Sequence, residues 1–233
     1  MTPSKAHVIG DIVISARPFA DYVAQFALSD PMLRSGRVLD CPGGASDFAA
    51  AVRNMGGQAT SIDPCYGGST ARLTQHITAD LTRVLAWTAA QPGRFPMDEH
   101  GVWCHAPAWR AAADAFLADF RRDRDQNTGH YQPAALPRLP FLDDSFTLAV
   151  SGFLLFTYPR QFDVDFHLRA LRELLRVAAE VRVHPLNDSA RNPYPMLETV
   201  LEHLAEDGIR VDLIAVPGQS DTRDTQTLRL TRR

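Results

Sequence analysis

Apolar positions along the chain switch between two periods. Arg37 to Cys41 is a short apolar run after Gly36 that predicts a buried strand, and Gln58 to Asp63, between Gly56-Gly57 and a loop, predicts a second strand. Ser46 to Met55 between them predicts a helix stopped by Gly56-Gly57. Strand, glycine turn, helix and strand form a βαβ unit, and that implies a parallel sheet. Upstream, the opening MTPSKAHVIGD predicts a loose or packed arm. From Ala16 to Leu28 the side chains of Phe19, Tyr22, Val23 and Phe26 share one side at helical spacing.

Residues 69–90, with Leu73, Ile77, Leu81, Val84 and Leu85 on one face, predict a helix, and so do residues 108–123. Together they make a helical excursion between the first and later strands. Residues 130–134 predict a short strand, and FTLAVSG at 146–152 a firmer one. The amphipathic run 165–177 leads into a strand at 180–186, then a helix at 196–208. Two closing strands, GIRVDLIAV and TQTLRLTR, flank a polar PGQSDTRD turn. No internal repeat is visible, and nothing marks the start of a second globular domain.

A chain of 233 residues is long enough for one substantial core, and 45% hydrophobic with 22% charged residues is ordinary for a globular protein. A formal net charge of -3 offers no basic field to nucleic acid or to an anionic membrane. Arg121, Arg122 and Arg124 are interrupted by Asp119, Asp123 and Asp125, which reads as a solvated helix face. No apolar run approaches the roughly 20 residues that span a bilayer. Lys5 is the only lysine, which disfavours a lysine Schiff base. Cys41, Cys65 and Cys104 lack metal-ligand spacing, and neither they nor the histidines imply a metal. With no secretory-type segment ahead of them, a reducing cytoplasm is expected, with a small molecule as partner and a monomer or homodimer as the assembly.

The candidate chemistry starts at VLDCPGGASDFAA, residues 38–50. A helix that follows Pro42-Gly43-Gly44 offers unpaired N–H groups at its start, suited to a carboxylate or phosphate. The GxGxxG spacing of a dinucleotide site is missing, and no Gly-Lys-Ser/Thr follows to make a P-loop. Asp63 ends the second strand, where a carboxylate can accept from both hydroxyls of a ribose. Pro64, Cys65 and Tyr66 beside it can wall a base. A nucleoside with a short polar arm satisfies both features. The plainer alternative is that both acids cap turns and the glycines merely end a strand.

DCPGGASDF, SIDP, LPRLPFLDDSFTLAVSG and DFHLRALRELLRVAAEVRVHPL resemble the class I S-adenosylmethionine-dependent methyltransferases, over roughly residues 36–230. The resemblance implies an α/β, Rossmann-like fold, a mostly parallel seven-stranded sheet with an antiparallel C-terminal strand. It implies S-adenosylmethionine as cofactor, an N-terminal arm or lid over 1–35, and a catalytic domain over 36–233 with a helical insertion at about 69–128. Asp40 and Cys41, Pro42, Gly43, Gly44 and Ala45 match the loop that holds the methionine part. Asp63 matches the ribose acid, with Pro64 and Cys65 near the adenine. The stretch Pro133 to Leu136 lacks the acidic residue that usually stands beside the adenine, so Ala135 and Leu136 are left to offer apolar or backbone contacts. The first loop also departs from the usual GxGxG form.

Reacting groups in such sheets sit at the carboxyl ends of the strands. That selects Ser151 and Gly152, then Tyr158, then His184. An aromatic face such as Tyr158 can also stabilise a sulfonium. His184 is a candidate general base, or equally a wall residue. His167 points into the site or packs and caps a helix, and Tyr22 belongs either to a lid or to a structural helix face. Trp103 and Trp109 line the acceptor side or anchor the excursion. Three functions remain open: methyl transfer to a small molecule; cyclisation of the cofactor itself to azetidine-2-carboxylate and methylthioadenosine, a branch the chain resembles less specifically; and a noncatalytic cofactor-binding protein.

Overall fold

The computed structural model describes residues 9–218, 221 and 223–232. Seven strands form one sheet: β1 (Arg37–Asp40), β2 (Gln58–Ile62), β3 (Tyr131–Gln132), β4 (Phe146–Gly152), β5 (Ala178–His184), β6 (Ile209–Ala215) and β7 (Gln226–Arg232). Their order is β3-β2-β1-β4-β5-β7-β6. The first five are mutually parallel, and β7 runs antiparallel between β5 and β6. Val38 and Leu39 in β1, and Leu148 to Val150 in β4, are buried, as central strands covered on both faces require.

Two helices cover one face, α6 (Val164–Val177) and α7 (Leu197–Glu206). Leu171, Leu174 and Leu175 of α6 pack with Val181, Val183 and Leu228 of the sheet. The start of α6 is fixed by Asp163, whose carboxylate accepts from the Phe166 N–H at 2.8 Å. The other face carries α1 (Phe19–Gln25), α2 (Asp30–Arg34) and α3 (Phe48–Asn54). Here Tyr22, Phe26 and Leu33 close over Val38, Phe48 and Leu148. Burial of Phe26 and Leu33 contributes roughly 1.5–3 kcal/mol each relative to exposure. The β2–β3 connection carries α4 (Thr70–Ala89) and α5 (Ala106–Gln126), and Phe116 and Phe120 of α5 pack on Tyr66 and Tyr131.

Three expectations from the sequence need correction. The helix expected over 16–28 is shorter, because Pro18 disfavours the α conformation at Arg17 before it, and Ala27 turns the chain at φ 49°. A second helix, α2, follows at once; five residues are too few to show a period. The strand expected at 180–186 lies at 178–184, since Pro185 has no N–H for the ladder. At 130–134 only Tyr131 and Gln132 pair.

Residues 1–8 of the expected arm, and residues 219, 220 and 222 of the expected turn, lie outside the described residues. Residues 9–16 are irregular and cross the carboxyl edge of the sheet as a strap. Ser15 O accepts from Ala45 N at 2.9 Å, and Val13 N donates to Tyr158 Oη at 3.2 Å. Ile14 N donates to Asp80 Oδ2 at 2.8 Å, which ties the strap to α4.

Candidate functional site

Each N–H group of the glycine turn already has an acceptor. Cys41 N donates to Val150 O, Gly43 N to Ile62 O, and Ala45 N to Ser15 O, at 2.9–3.0 Å. Gly44 N donates to Asp63 Oδ2 at 3.2 Å. These four donors hold strands and strap together rather than facing a ligand; at the start of α3 itself, Phe48 N donates to Ser46 Oγ at 2.9 Å. Glycine is required at both positions. A Cβ on Gly43 would lie 1.7 Å from Ser61 Oγ and 2.6 Å from Tyr66 Oη, and Gly44 has φ +57° and would bring an added Cβ to 2.8 Å from Ser15 O.

Asp40 lies fully buried beneath this turn. Its carboxylate accepts from Tyr22 Oη at 3.1 Å and Ser61 Oγ at 3.2 Å. Burial pushes its pKa up to about 7, opposed by those two hydrogen bonds and by the Arg17 charge. Tyr22 stacks on Phe48 with centroids 4.5 Å apart and is itself inaccessible. It supports the turn from below and does not cover a pocket; the strap does that.

A crevice of ≈ 240 Å³ opens at the carboxyl ends of β1, β2 and β4. Cys41, Pro42 and Gly44 form one wall, Asp63 and Pro64 the next, and Ala135, Leu136 and Gly152 the far side. Gly43, Ala45, Cys65 and Ser151 stand behind that surface. Asp63 is almost buried, and its carboxylate accepts from Gly44 N and from Cys65 N at 3.0 Å. Burial raises its pKa above the ordinary carboxylate value, while those bonds oppose the rise. Each oxygen retains a second lone pair for a ligand hydroxyl.

Beyond the strap lies a smaller chamber of ≈ 70 Å³ that shares Val13, Ser15 and Phe153 with the crevice. Trp87, Phe95, Trp103, Trp109 and Tyr158 give it aromatic walls. Trp109 Nε1 donates to Asp21 at 3.3 Å, so that ring both lines the chamber and anchors α5 to α1. Other polar atoms in its wall have no partner among the described residues: Arg17 Nε, Trp87 Nε1, Trp103 Nε1 and Thr157 Oγ1. Sequence reasoning missed Arg17, Trp87 and Thr157, because nothing in their neighbours distinguishes them from surface or core residues.

The two histidines and Ser151 do not join this surface. His167 is fully buried, stacked on Phe156, with its ring nitrogens facing Asp163 O and Leu155 O. The reading that it packs and holds the start of α6 is the one its contacts match. His184 turns Nδ1 toward Gln226 O and Thr227 Oγ1, and burial pulls its basicity down to about 3. Desolvation makes it a poor general base at neutral pH. Ser151 Oγ is buried without a partner among the described residues.

The deciding feature for the architecture is the strand order. The chain leaves β1 toward β2 on one side and returns to β4 on the other, so the crevice lies at the topological switch point, and β7 inserts antiparallel between β5 and β6. This is the class I methyltransferase fold. No protein-family model matches the chain. It is 27% identical over 177 residues to the uncharacterized protein MJ0045 of Methanocaldococcus jannaschii, covering 76% of this chain and 78% of that one. Among solved structures it is similar to a SAM dependent methyltransferase from Aquifex aeolicus, at 15% identity and TM-score 0.43 over 90% of each chain. It is also similar to magnesium protoporphyrin IX methyltransferase from Synechocystis PCC 6803, at 11% identity and TM-score 0.46 over 92% of this chain and 78% of that one. Among the described residues no helix is long and apolar enough to cross a membrane, and no group of three His, Cys, Asp or Glu is placed to hold a metal.

Proposed function

We propose that this protein is an S-adenosylmethionine-dependent methyltransferase acting on a small molecule. The observation that carries the reading is the crevice at the switch point, with the Asp63 carboxylate in its wall and a separate aromatic chamber beside it. Pro64, Ala135 and Leu136 supply the apolar surface for an adenine, and Asp63 the acceptors for a ribose. The methionine part falls to Cys41, Pro42, Gly44 and Gly152. Residues 36–233 act as the catalytic domain, and the strap at 9–16 takes the covering role expected of the N-terminal arm.

The cofactor supplies an electrophilic carbon with its leaving group already attached. The chain then has to orient and to exclude water. The paired glycine turn fixes the crevice wall, and Tyr158 holds the strap against it through Val13 N–H. Phe153 lines both crevice and chamber, and Tyr158 lines the chamber beside it, where its ring can face a cation. A chamber that adjoins the crevice argues against a purely noncatalytic binding role.

A second reading, cyclisation of the cofactor's own aminobutyl group, is favoured by one observation. At ≈ 70 Å³ the chamber leaves little room for a separate acceptor. Purified protein incubated with S-adenosylmethionine alone, with products identified by mass, separates the two. Methylthioadenosine with a cyclic amino acid would replace methyl transfer by cyclisation. S-adenosylhomocysteine formed only after a metabolite extract is added supports methyl transfer, and no turnover in either arm sinks both.

A further inference from the structure

We propose that Arg17 is a carboxylate-binding residue, receiving in the aromatic chamber either the α-carboxylate of S-adenosylmethionine or that of a second small molecule. The inference rests on the cofactor reading above and adds to it the chemical class of the group that enters the chamber. Arg17 is 4% exposed, yet its guanidinium has no hydrogen bond and no ion pair among the described residues. Its neighbours are ring faces, with its Cζ 3.6 Å from the Phe153 centroid and 5.8 Å from that of Trp109. A guanidinium keeps its proton in proteins, so this is a buried cation with no carboxylate in ion-pair contact. Asp21 and Asp40 act on it only from longer range, an arrangement that is costly unless a closer partner arrives. Burial draws its pKa below the ordinary arginine value, because desolvation disfavours the charge.

Position and shape narrow the partner. A Cβ on Gly152 would come 3.5 Å from Arg17 Nη1, so the guanidinium stands at the end of β4, where crevice and chamber meet. With one face on Phe153, its in-plane N–H fork is left for a planar, bidentate acceptor. Trp87 Nε1, Trp103 Nε1 and Thr157 Oγ1 add unpartnered polar atoms to the same chamber. The chamber's other charged lining residues are Arg94, Asp188, Asp221 and Asp224. Arg94 is held by Asp221 and by Ser189 O, and Asp221 also pairs with Arg191. Asp188 closes its own turn, and Asp224 accepts from Asn187. These acids repel a dianionic phosphate more than a carboxylate. A volume of ≈ 70 Å³ fits a carboxylate with a short apolar stem.

The test uses the full chain and calorimetric titration with methylthioadenosine, S-adenosylhomocysteine, propionate and benzoate, on wild type, Arg17→Met and Arg17→Lys. Met fills the space without the charge, so the ligand-free variant should melt at or above the wild-type temperature. If the cofactor's carboxylate is the ligand, Arg17→Met loses at least about tenfold in affinity for S-adenosylhomocysteine and nothing for methylthioadenosine, which lacks the amino-acid end. If the carboxylate belongs to a second molecule, both nucleosides bind the variant as they bind wild type. Propionate or benzoate then binds the wild-type S-adenosylhomocysteine complex and is lost in Arg17→Met. Arg17→Lys, with charge but no fork, falls between in either case. Equal binding of every probe by wild type and Arg17→Met overturns the proposal, as does a marked drop in melting temperature of the ligand-free variant. Failure of wild type to bind methylthioadenosine removes the cofactor reading instead, and the two acids alone then decide for Arg17.

Discussion

The N–H of Gly44 donates to Oδ2 of Asp63 across 3.2 Å, joining the turn after β1 to the acid after β2. The residue proposed to hold the ribose is thereby part of the scaffold of the glycine turn. A substitution at 63 should consequently register in stability as well as in binding.

Asp63→Ala leaves the Gly44 and Cys65 N–H groups without their acceptor, a loss of about 1–3 kcal/mol for each group that stays dry. A domain of this size should melt about 2–4 °C lower per kcal/mol. Asp63→Asn keeps an acceptor and should melt closer to wild type. Both variants should bind S-adenosylmethionine at least about tenfold more weakly. Undiminished affinity in a folded variant would remove Asp63 from the ribose site.

Asp40 makes stability depend on pH. Its folded value of about 7 lies above the ordinary carboxylate value, because burial disfavours the charge. The folded state holds that proton more tightly than the unfolded chain. Its contribution is therefore fully present below about pH 4 and is lost as pH rises through about 7. Urea melts of wild type and Asp40→Asn across pH 4.5 to 8.5 check this: the wild type should lose stability relative to the variant toward the alkaline end. Parallel pH curves would contradict a buried, proton-holding Asp40.

His184 acts with the opposite sign. Burial lowers it to about 3, so the unfolded chain takes the proton first as pH falls. Its contribution is present above about 6.5 and is lost on acidification toward 3. The imidazole resonances of His184 should stay in the neutral form between pH 8 and 5 by NMR. A titration midpoint near 6.5 would restore it as a candidate general base.

Gly43→Ala should destabilise the protein by about 1–3 kcal/mol or more, since the new methyl would overlap Ser61 Oγ and approach Tyr66 Oη and Asp40 Oδ2. Equilibrium urea denaturation measures it. A loss under about 0.5 kcal/mol would mean that the turn yields easily.

Elements with a clear period were legible beforehand. β4 falls on the residues expected, and α6 differs from 165–177 by one residue, because an alternating or 3.6-residue pattern reports directly which side faces a core. Where a period had no room, legibility failed: α2 has five residues and β3 two. The site divides the same way. Pro42, Gly44, Asp63, Pro64, Ala135, Leu136 and Gly152 line the crevice, and all lie in stretches that the family resemblance marks. Tyr22 and His167 were open between a site and a core role, and their burial places both in the packing. Arg17 went unnoticed, since an arginine before a proline carries no sign of whether water reaches it.

By itself the sequence determined the parallel sheet, the tight turn after β1 and the acid at the end of β2, because periodicity, glycine spacing and strand-end position are local properties. Only the tertiary structure decided who satisfies whom. The strap took the Ala45 N–H, Asp63 took that of Gly44, and Phe153 and Trp109 closed around Arg17 without an anion. Pairing and burial depend on residues distant in the chain, and desolvation turns a common arginine into a charge that needs a partner.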